Sequence, residues 1–153
     1  MYKIVVRRNI RGAFAKLATN DAPGLLARMD ENVHHRFPGR TALGGERTNR
    51  EDVAAWFDRL FRLMPSLEFR IHTLVVEGWP WDLKVGVEWT NFGSLLDGSE
   101  YRNRGAHVIR VRRGRIVAFH AYLDDYEELT GALARLAADG LPEASADPIV
   151  SAH

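Results

Sequence analysis

The chain contains no cysteine. Disulfides, a thiol nucleophile and thiolate metal sites are thereby excluded. It also lacks an excess of either charge, since 21 Lys+Arg against 20 Asp+Glu leave +1. A dedicated nucleic-acid binder would carry a large positive surplus, so none is expected. No window approaches about 18 uninterrupted apolar residues, and no membrane association is expected. The first residues, Met1 to Arg8, have neither the apolar stretch nor the small-residue cleavage site of a signal peptide. The expected location is therefore the cytoplasm. Internal repeats and low-complexity tracts are absent too. What is present is globular: 153 residues, 46% hydrophobic and 27% charged, enough for one domain with its own core. Trp79, Trp81 and Trp89 crowd into eleven residues, which predicts a large apolar surface, either a core or a ligand-sized cavity.

Hydrophobic spacing divides the chain into helices first and strands later. Val6, Ile10, Phe14, Leu17 and Ala18 recur at intervals of three and four, one stripe of a first helix. Asp21 and Pro23 start a short second helix with Leu25, Leu26 and Met29 on its buried side. Val33 to Phe37 alternates as a short strand, with Val33, His35 and Phe37 on one face and His34 and Arg36 on the other. Residues from Pro38 to Gly45 read as loop. Thr48 or Asn49, followed by Glu51 and Asp52, opens a third helix. Its apolar face is Val53, Trp56, Phe57, Leu60, Phe61 and Met64, and Pro65 ends it.

After Pro65 the period falls to two. Four strands follow, separated by Gly78-Trp79-Pro80, Asp97-Gly98 and Arg113-Gly114 turns. Parity sets Leu83, Val85, Val87, Trp89 and Asn91 on one face, together with Asn103, His107 and Ile109, and with Phe119 and Ala121. Arginines 102, 104, 110 and 112 fall mostly on the other face. A last helix is expected from Glu127 to Ala138, and residues 140–153 read as a flexible tail beyond a domain of residues 1–139. Helices before an antiparallel meander indicate an α+β fold.

In these residues the chain resembles the SnoaL-like family of the nuclear-transport-factor-2-like superfamily, which includes polyketide cyclases, limonene epoxide hydrolase and ketosteroid isomerase. The resemblance spans roughly residues 6 to 130 by element order. It rests on Phe37-Pro38-Gly39, on Gly45-Glu46-Arg47-Thr48-Asn49-Arg50-Glu51, and on Tyr101 to Ile116 running into Tyr122-Leu123-Asp124. It implies a cone-shaped curved sheet packed on three N-terminal helices, one deep apolar pocket, and often a homodimer through the outer sheet face. Fold alone does not give the reaction.

His107 is the sharpest candidate for chemistry. Its parity places an imidazole among apolar groups, where it can shuttle a proton, and the resemblance matches it to a pocket histidine of some polyketide cyclases. The alternative is a core histidine with one satisfied hydrogen bond. His35 shares the apolar parity of its strand and is the second catalytic candidate, or else a histidine at the pocket rim. Trp89, Asn91 and Asn103 are expected to contact ligand, Asn103 being equally well explained as a turn-stabilising residue. Phe119, Trp56, Phe37 and Phe14 are expected as core and pocket wall. Two histidines without a third ligand do not make a metal site, so neither a metal nor a cofactor is expected.

By the same resemblance, Trp89, Asn91 and Ala121 stand where the Arg-Asp-Asp set of limonene epoxide hydrolase would be. Ala121 can neither donate nor accept a proton. Were the register off by one, His120 or Tyr122 would face inward instead. Glu88, if inward, would be the best carboxylate base. Two functions remain open at this point. One is a cofactor-independent isomerase, cyclase or lyase that moves a proton on an apolar carbonyl compound through His107. The other is a non-catalytic ligand-binding or dimerising module that has lost the family's acid/base residues.

Overall fold

The computed structural model describes residues 1–152. Helix α1 (Tyr2–Ala18) buries Ile10, Ala13 and Phe14, as the stripe predicts. Helix α2 (Ala22–Leu26) is capped by the Asp21 carboxylate, which accepts from the Gly24 amide. The Asn49 side chain accepts from the Asp52 amide at the start of α3 (Arg50–Leu63), and Glu51 and Asp52 place negative charge at its positive end. Its buried stripe is Val53, Trp56, Phe57, Leu60 and Leu63.

Strands β1 (Met29–Phe37), β2 (Gly45–Arg47), β3 (Glu68–Trp79), β4 (Asp82–Ser94), β5 (Glu100–Arg112) and β6 (Arg115–Leu123) form one sheet in the order β2-β1-β6-β5-β4-β3. The meander β3 to β6 is antiparallel, and β1 adds to β6 in parallel. The sheet is thus mixed, and the fold α+β. Strand β1 begins four residues earlier than the alternation suggests, because Met29 already pairs with Ile116. Strand β2 lies partly in the stretch expected to be loop. Three residues are too few to show a period, and β2 exists only because β1 offers it an edge.

A bulge between Ile71 and Thr73 inserts His72 into β3. It turns Leu74 and Val76 inward after Phe69 and Ile71, so Val75 is 57% exposed. The parity of the other strands holds across the register Asn91↔Asn103, Val87↔His107↔Ala121 and Ile109↔Phe119↔His35. Glu88 is exposed, as is Tyr122, while His120 is half-buried. Glu88 is therefore not an inward base, and the one-residue slip did not occur.

Two expectations are corrected. Of the three clustered tryptophans only Trp89 is buried; Trp79 and Trp81 are 67% and 62% exposed at the β3–β4 turn. The turn carries the chain away from the core before the alternating part of β4 begins. The segment after helix α4 (Tyr126–Ala138) is also not free. A short 3₁₀ turn, Pro142–Ser145, buries Ala144. Arg59 and Arg62 clamp the Glu143 carboxylate and hold its pKa down to about 2. Arg59 also donates to the Asp147 carbonyl, and Ser151 donates to Asp52. Pro, Ser and Asp composition reads as tail, but charge partners on α3 supply the ordering energy.

Candidate functional site

The helices cover the concave face of the sheet around an internal cavity of about 80 Å³. That space holds a few waters or one small ring compound. Its wall is almost wholly apolar. Phe14, Phe37, Trp56 and Phe119 contribute to it, as do Trp89 and Ile109; the polar members are His107, Asn91 and Tyr101. No carboxylate lines it.

His107 is held from one side by the Trp89 indole, whose Nε1–H donates to His107 Nδ1 at 2.8 Å. An indole N–H can only donate. Nδ1 must therefore be the acceptor, and the neutral ring carries its proton on Nε2. Phe14 packs edge-on against the same ring at 5.6 Å. Burial pushes the His107 pKa down to about 4, so the ring is neutral at pH 7. Nε2–H has no protein partner among the described residues and is not among the fully buried orphan atoms. His107 lines the cavity, and Nε2–H is its ring atom without a protein partner. The atom offered to a ligand is thus a donor, with the basic lone pair already occupied. The geometry is that of a buried histidine with one satisfied hydrogen bond at Nδ1, the ring proton being on Nε2.

His35 does not line the cavity. It is fully buried, stacked on Phe119 at 4.1 Å and edge-on to Trp56 at 4.4 Å. Its Nδ1 accepts from Arg47 Nε at 2.9 Å. Arginine only donates, so His35 too is the Nε2–H tautomer, and that atom is buried without a partner. Burial first, then the Arg47 charge, holds its pKa well below the ordinary value. His35 supports the aromatic wall from behind, neither on the cavity wall nor at an exposed rim.

Asn103 is likewise drawn to structural work. Its amide donates to the Asp125 carbonyl and to Tyr101 Oη, and its carbonyl accepts from the Asp125 and Arg104 amides. These bonds fix the start of α4 and leave no atom for a ligand, so the turn-stabilising alternative holds. Asn91 faces the cavity, and its carbonyl oxygen is buried with no partner. Tyr101, also on the wall, is raised to about 12 by burial and stays protonated.

Arg47 was not a site candidate from sequence, where it is one arginine in a charged stretch. It is 0% exposed. Besides His35, it donates to the carbonyls of Gly44, Gly45 and Ile149, and its guanidinium lies over the Trp56 ring at 5.5 Å. Burial lowers its pKa to about 10, still charged at neutral pH. On the outer face, Glu46 Oε2, His34 and His120 form a second unforeseen chain with two 2.9 Å bonds. Only the pairing of β1 with both β2 and β6 brings these three residues together.

Residues 10–119 match the family described as SnoaL-like domain. The chain belongs to that family. No curated protein matches it by sequence. Among solved structures, this SnoaL-like chain is similar to Bal32a from a soil-derived mobile gene cassette, with TM-score 0.68 and 19% identity over 78% of this chain and 88% of that one. It is similar to a candidate scytalone dehydratase from Novosphingobium aromaticivorans, with TM-score 0.71 and 10% identity over 81% and 87%. It is also similar to TerC, crystallised with polyporic acid, with TM-score 0.64 and 19% identity over 83% and 93%. At these identities the likeness establishes the cone fold of the nuclear-transport-factor-2-like proteins and leaves the reaction open.

Proposed function

We propose that this SnoaL-like chain holds one small apolar compound in the cone, with an acceptor oxygen of that compound on His107 Nε2–H. The observation that carries the reading is the donor-only Trp89 indole on Nδ1, which leaves only a donor facing the cavity. A neutral imidazole donor in an apolar site stabilises charge developing on a carbonyl oxygen without itself giving up a proton.

The test compares two ring compounds of similar shape, acetophenone and ethylbenzene, by ligand-observed NMR. Acetophenone is expected to bind about tenfold more tightly, and the difference to vanish in His107→Phe. Equal binding of the pair by the unaltered protein overturns the reading.

A second reading, catalysis, is favoured by the similarity to a candidate dehydratase. Here His107 polarises the carbonyl of a substrate undergoing isomerisation, ring closure or elimination. With no carboxylate on the cavity wall, the proton leaves to water. Turnover would then fall with His107→Phe while ring binding persists.

The expected homodimer belongs to the same proposal. On the outer face Val75, Gly86, Val108 and His120 stand in one cross-strand row, and Val75 and Val108 are 57% and 49% exposed. Light scattering at micromolar concentration is expected to give twice the chain mass, and Val108→Glu to halve it. A monomer before substitution contradicts the dimer.

A further inference from the structure

We propose that one end of the molecule, where the β3–β4 turn, the start of α1 and the β5–β6 turn meet, docks on an anionic lipid surface. Two bonds hold these elements side by side. Tyr2 Oη donates to the Gly78 carbonyl at 2.8 Å, and the Arg113 amide donates to the Trp81 carbonyl at 3.0 Å.

The apolar part of this end is large and exposed. Trp79 and Trp81 stack face to face, with ring centroids 5.8 Å apart and planes within 8°. Both are more than 60% exposed, and Ile4 and Val5 on α1 are 69% and 45% exposed. Isolated surface apolar residues are ordinary; two stacked, exposed indoles are a patch, and Ile4 and Val5 add exposed apolar side chains on the first turn of the neighbouring helix. Indoles favour the headgroup boundary of a bilayer, where the ring meets apolar chains and the N–H meets water or phosphate.

The charge around the patch is predominantly positive, with Asp30, Glu77 and Asp82 as its acidic members. Helix α1 carries Lys3, Arg7, Arg8 and Arg11 near its start, and no acidic residue precedes Asp21. The β5–β6 turn adds Arg112, Arg113 and Arg115, which with Trp81 and Asp30 border a shallow surface groove. The carboxylate of Asp82 in that groove is already engaged by Arg110 and lies 3.6 Å from Arg112. Arg113 and Arg115 have no carboxylate partner among the described residues. The near-neutral total of +1 therefore hides a basic end. Basic side chains beside amphipathic aromatics are the combination that holds a protein at an anionic bilayer surface. The described helices are too short or too polar to span a bilayer, so the contact lies on the surface.

A single-stranded nucleic acid would also meet arginines and indoles. Two observations favour lipid. The tryptophans are stacked on each other, which leaves no gap for a base between them. Ile4 and Val5 have acyl chains to enter but nothing to offer a base.

Co-sedimentation with vesicles tests the proposal. The protein is expected to sediment with equimolar phosphatidylcholine and phosphatidylglycerol and to stay soluble with phosphatidylcholine alone. Its tryptophan emission should shift to the blue with the mixed vesicles. Trp79→Ser with Trp81→Ser should weaken binding by about tenfold or more and remove the blue shift. Arg113→Glu with Arg115→Glu should weaken it by roughly fivefold per arginine or more. All four side chains are exposed, and an unchanged melting temperature confirms that each variant folds. The proposal is overturned by absence of sedimentation, by tryptophan variants that bind undiminished, or by tighter binding to a single-stranded oligonucleotide than to the mixed vesicles. A loss of oligomeric mass in the tryptophan variants without any vesicle binding overturns it equally, and assigns the patch to a second copy of the chain.

Discussion

Replacing Arg47 with alanine is expected to lower stability by about 3–5 kcal/mol, since it strips a buried network of its only donor. The guanidinium serves the carbonyls of Gly44, Gly45 and Ile149 and the His35 imidazole at once. His35 and Arg47 are both 0% exposed, so the imidazole and the Gly44 carbonyl lose a donor that is not readily replaced. In a chain of this size the loss corresponds to a fall in melting temperature of roughly 10 °C or more. Arg47→Lys should recover only part of it, since a single ammonium cannot fork toward four acceptors. The substitution should also free the C-terminal segment. Ile149 loses its side-chain donor, so amide exchange around residues 147–151 should accelerate more in Arg47→Ala than in α1. A melting temperature within a degree or two of the unaltered protein would show that the network contributes little.

Acid should destabilise the protein in a window set by histidines, before the carboxylates titrate. His107 and His35 both have folded pKa values below the ordinary 6.5, His107 at about 4 and His35 well below. Above pH 6.5 both rings are neutral folded or unfolded, and the shift has no effect. As pH falls below 6.5 the unfolded chain takes up protons that the folded chain refuses at His107 and His35 and, in the same direction, at half-buried His120. Stability then drops by about 1.4 kcal/mol per pH unit for each ring. By pH 4.5 His107 alone costs about 2.5 kcal/mol, and His35 adds to the loss in the same direction. Asp21, Asp82, Asp97 and Glu143 have lowered pKa values, so their stabilisation is present above the ordinary carboxylate range and is lost below it. The two windows are therefore separable. Urea midpoints measured between pH 7 and 4.5 should fall steadily, and His107→Gln should reduce the slope by about one proton. A midpoint independent of pH down to 5 would contradict the neutral, buried state of both rings.

The second prediction bears on function as well as stability. A ring that resists protonation down to about pH 4 presents the same Nε2–H donor throughout the physiological range. Ligand binding through it should be flat with pH wherever the fold survives. A histidine acting as a base near neutrality would instead give a pH profile with a midpoint near 6.5.

Much of this was legible in the sequence. Alternation in β4, β5 and β6 assigned the inward positions of Trp89, Asn91, His107 and Phe119, because the strand period is two whatever the partner strand. A cap signal at Thr48 or Asn49 and the helical spacing from Val53 to Leu60 located α3, because both signals are local, and the structure places the cap at Asn49. The lack of inward carboxylates was also readable, since Ala121 occupies the one position on β6 that pairs with His107. Parity could not see which inward groups would reach the cavity. Asn103 and His107 share a face of β5, yet only His107 lines the cavity, because the start of α4 captures the Asn103 amide. The β3 bulge was equally invisible, since an inserted residue changes facing without changing composition.

Composition and period by themselves determined the α+β class, the apolar interior and the exclusion of thiol chemistry. These follow from side-chain type and local geometry alone. The tertiary structure alone decided the protonation of the site. Trp89 and His107 are 18 residues apart, and Arg47 and His35 are 12 apart. The tautomer of each imidazole depends on which donor the fold brings to its Nδ1. Only strand pairing and packing make that choice, and in both rings it leaves the proton on Nε2.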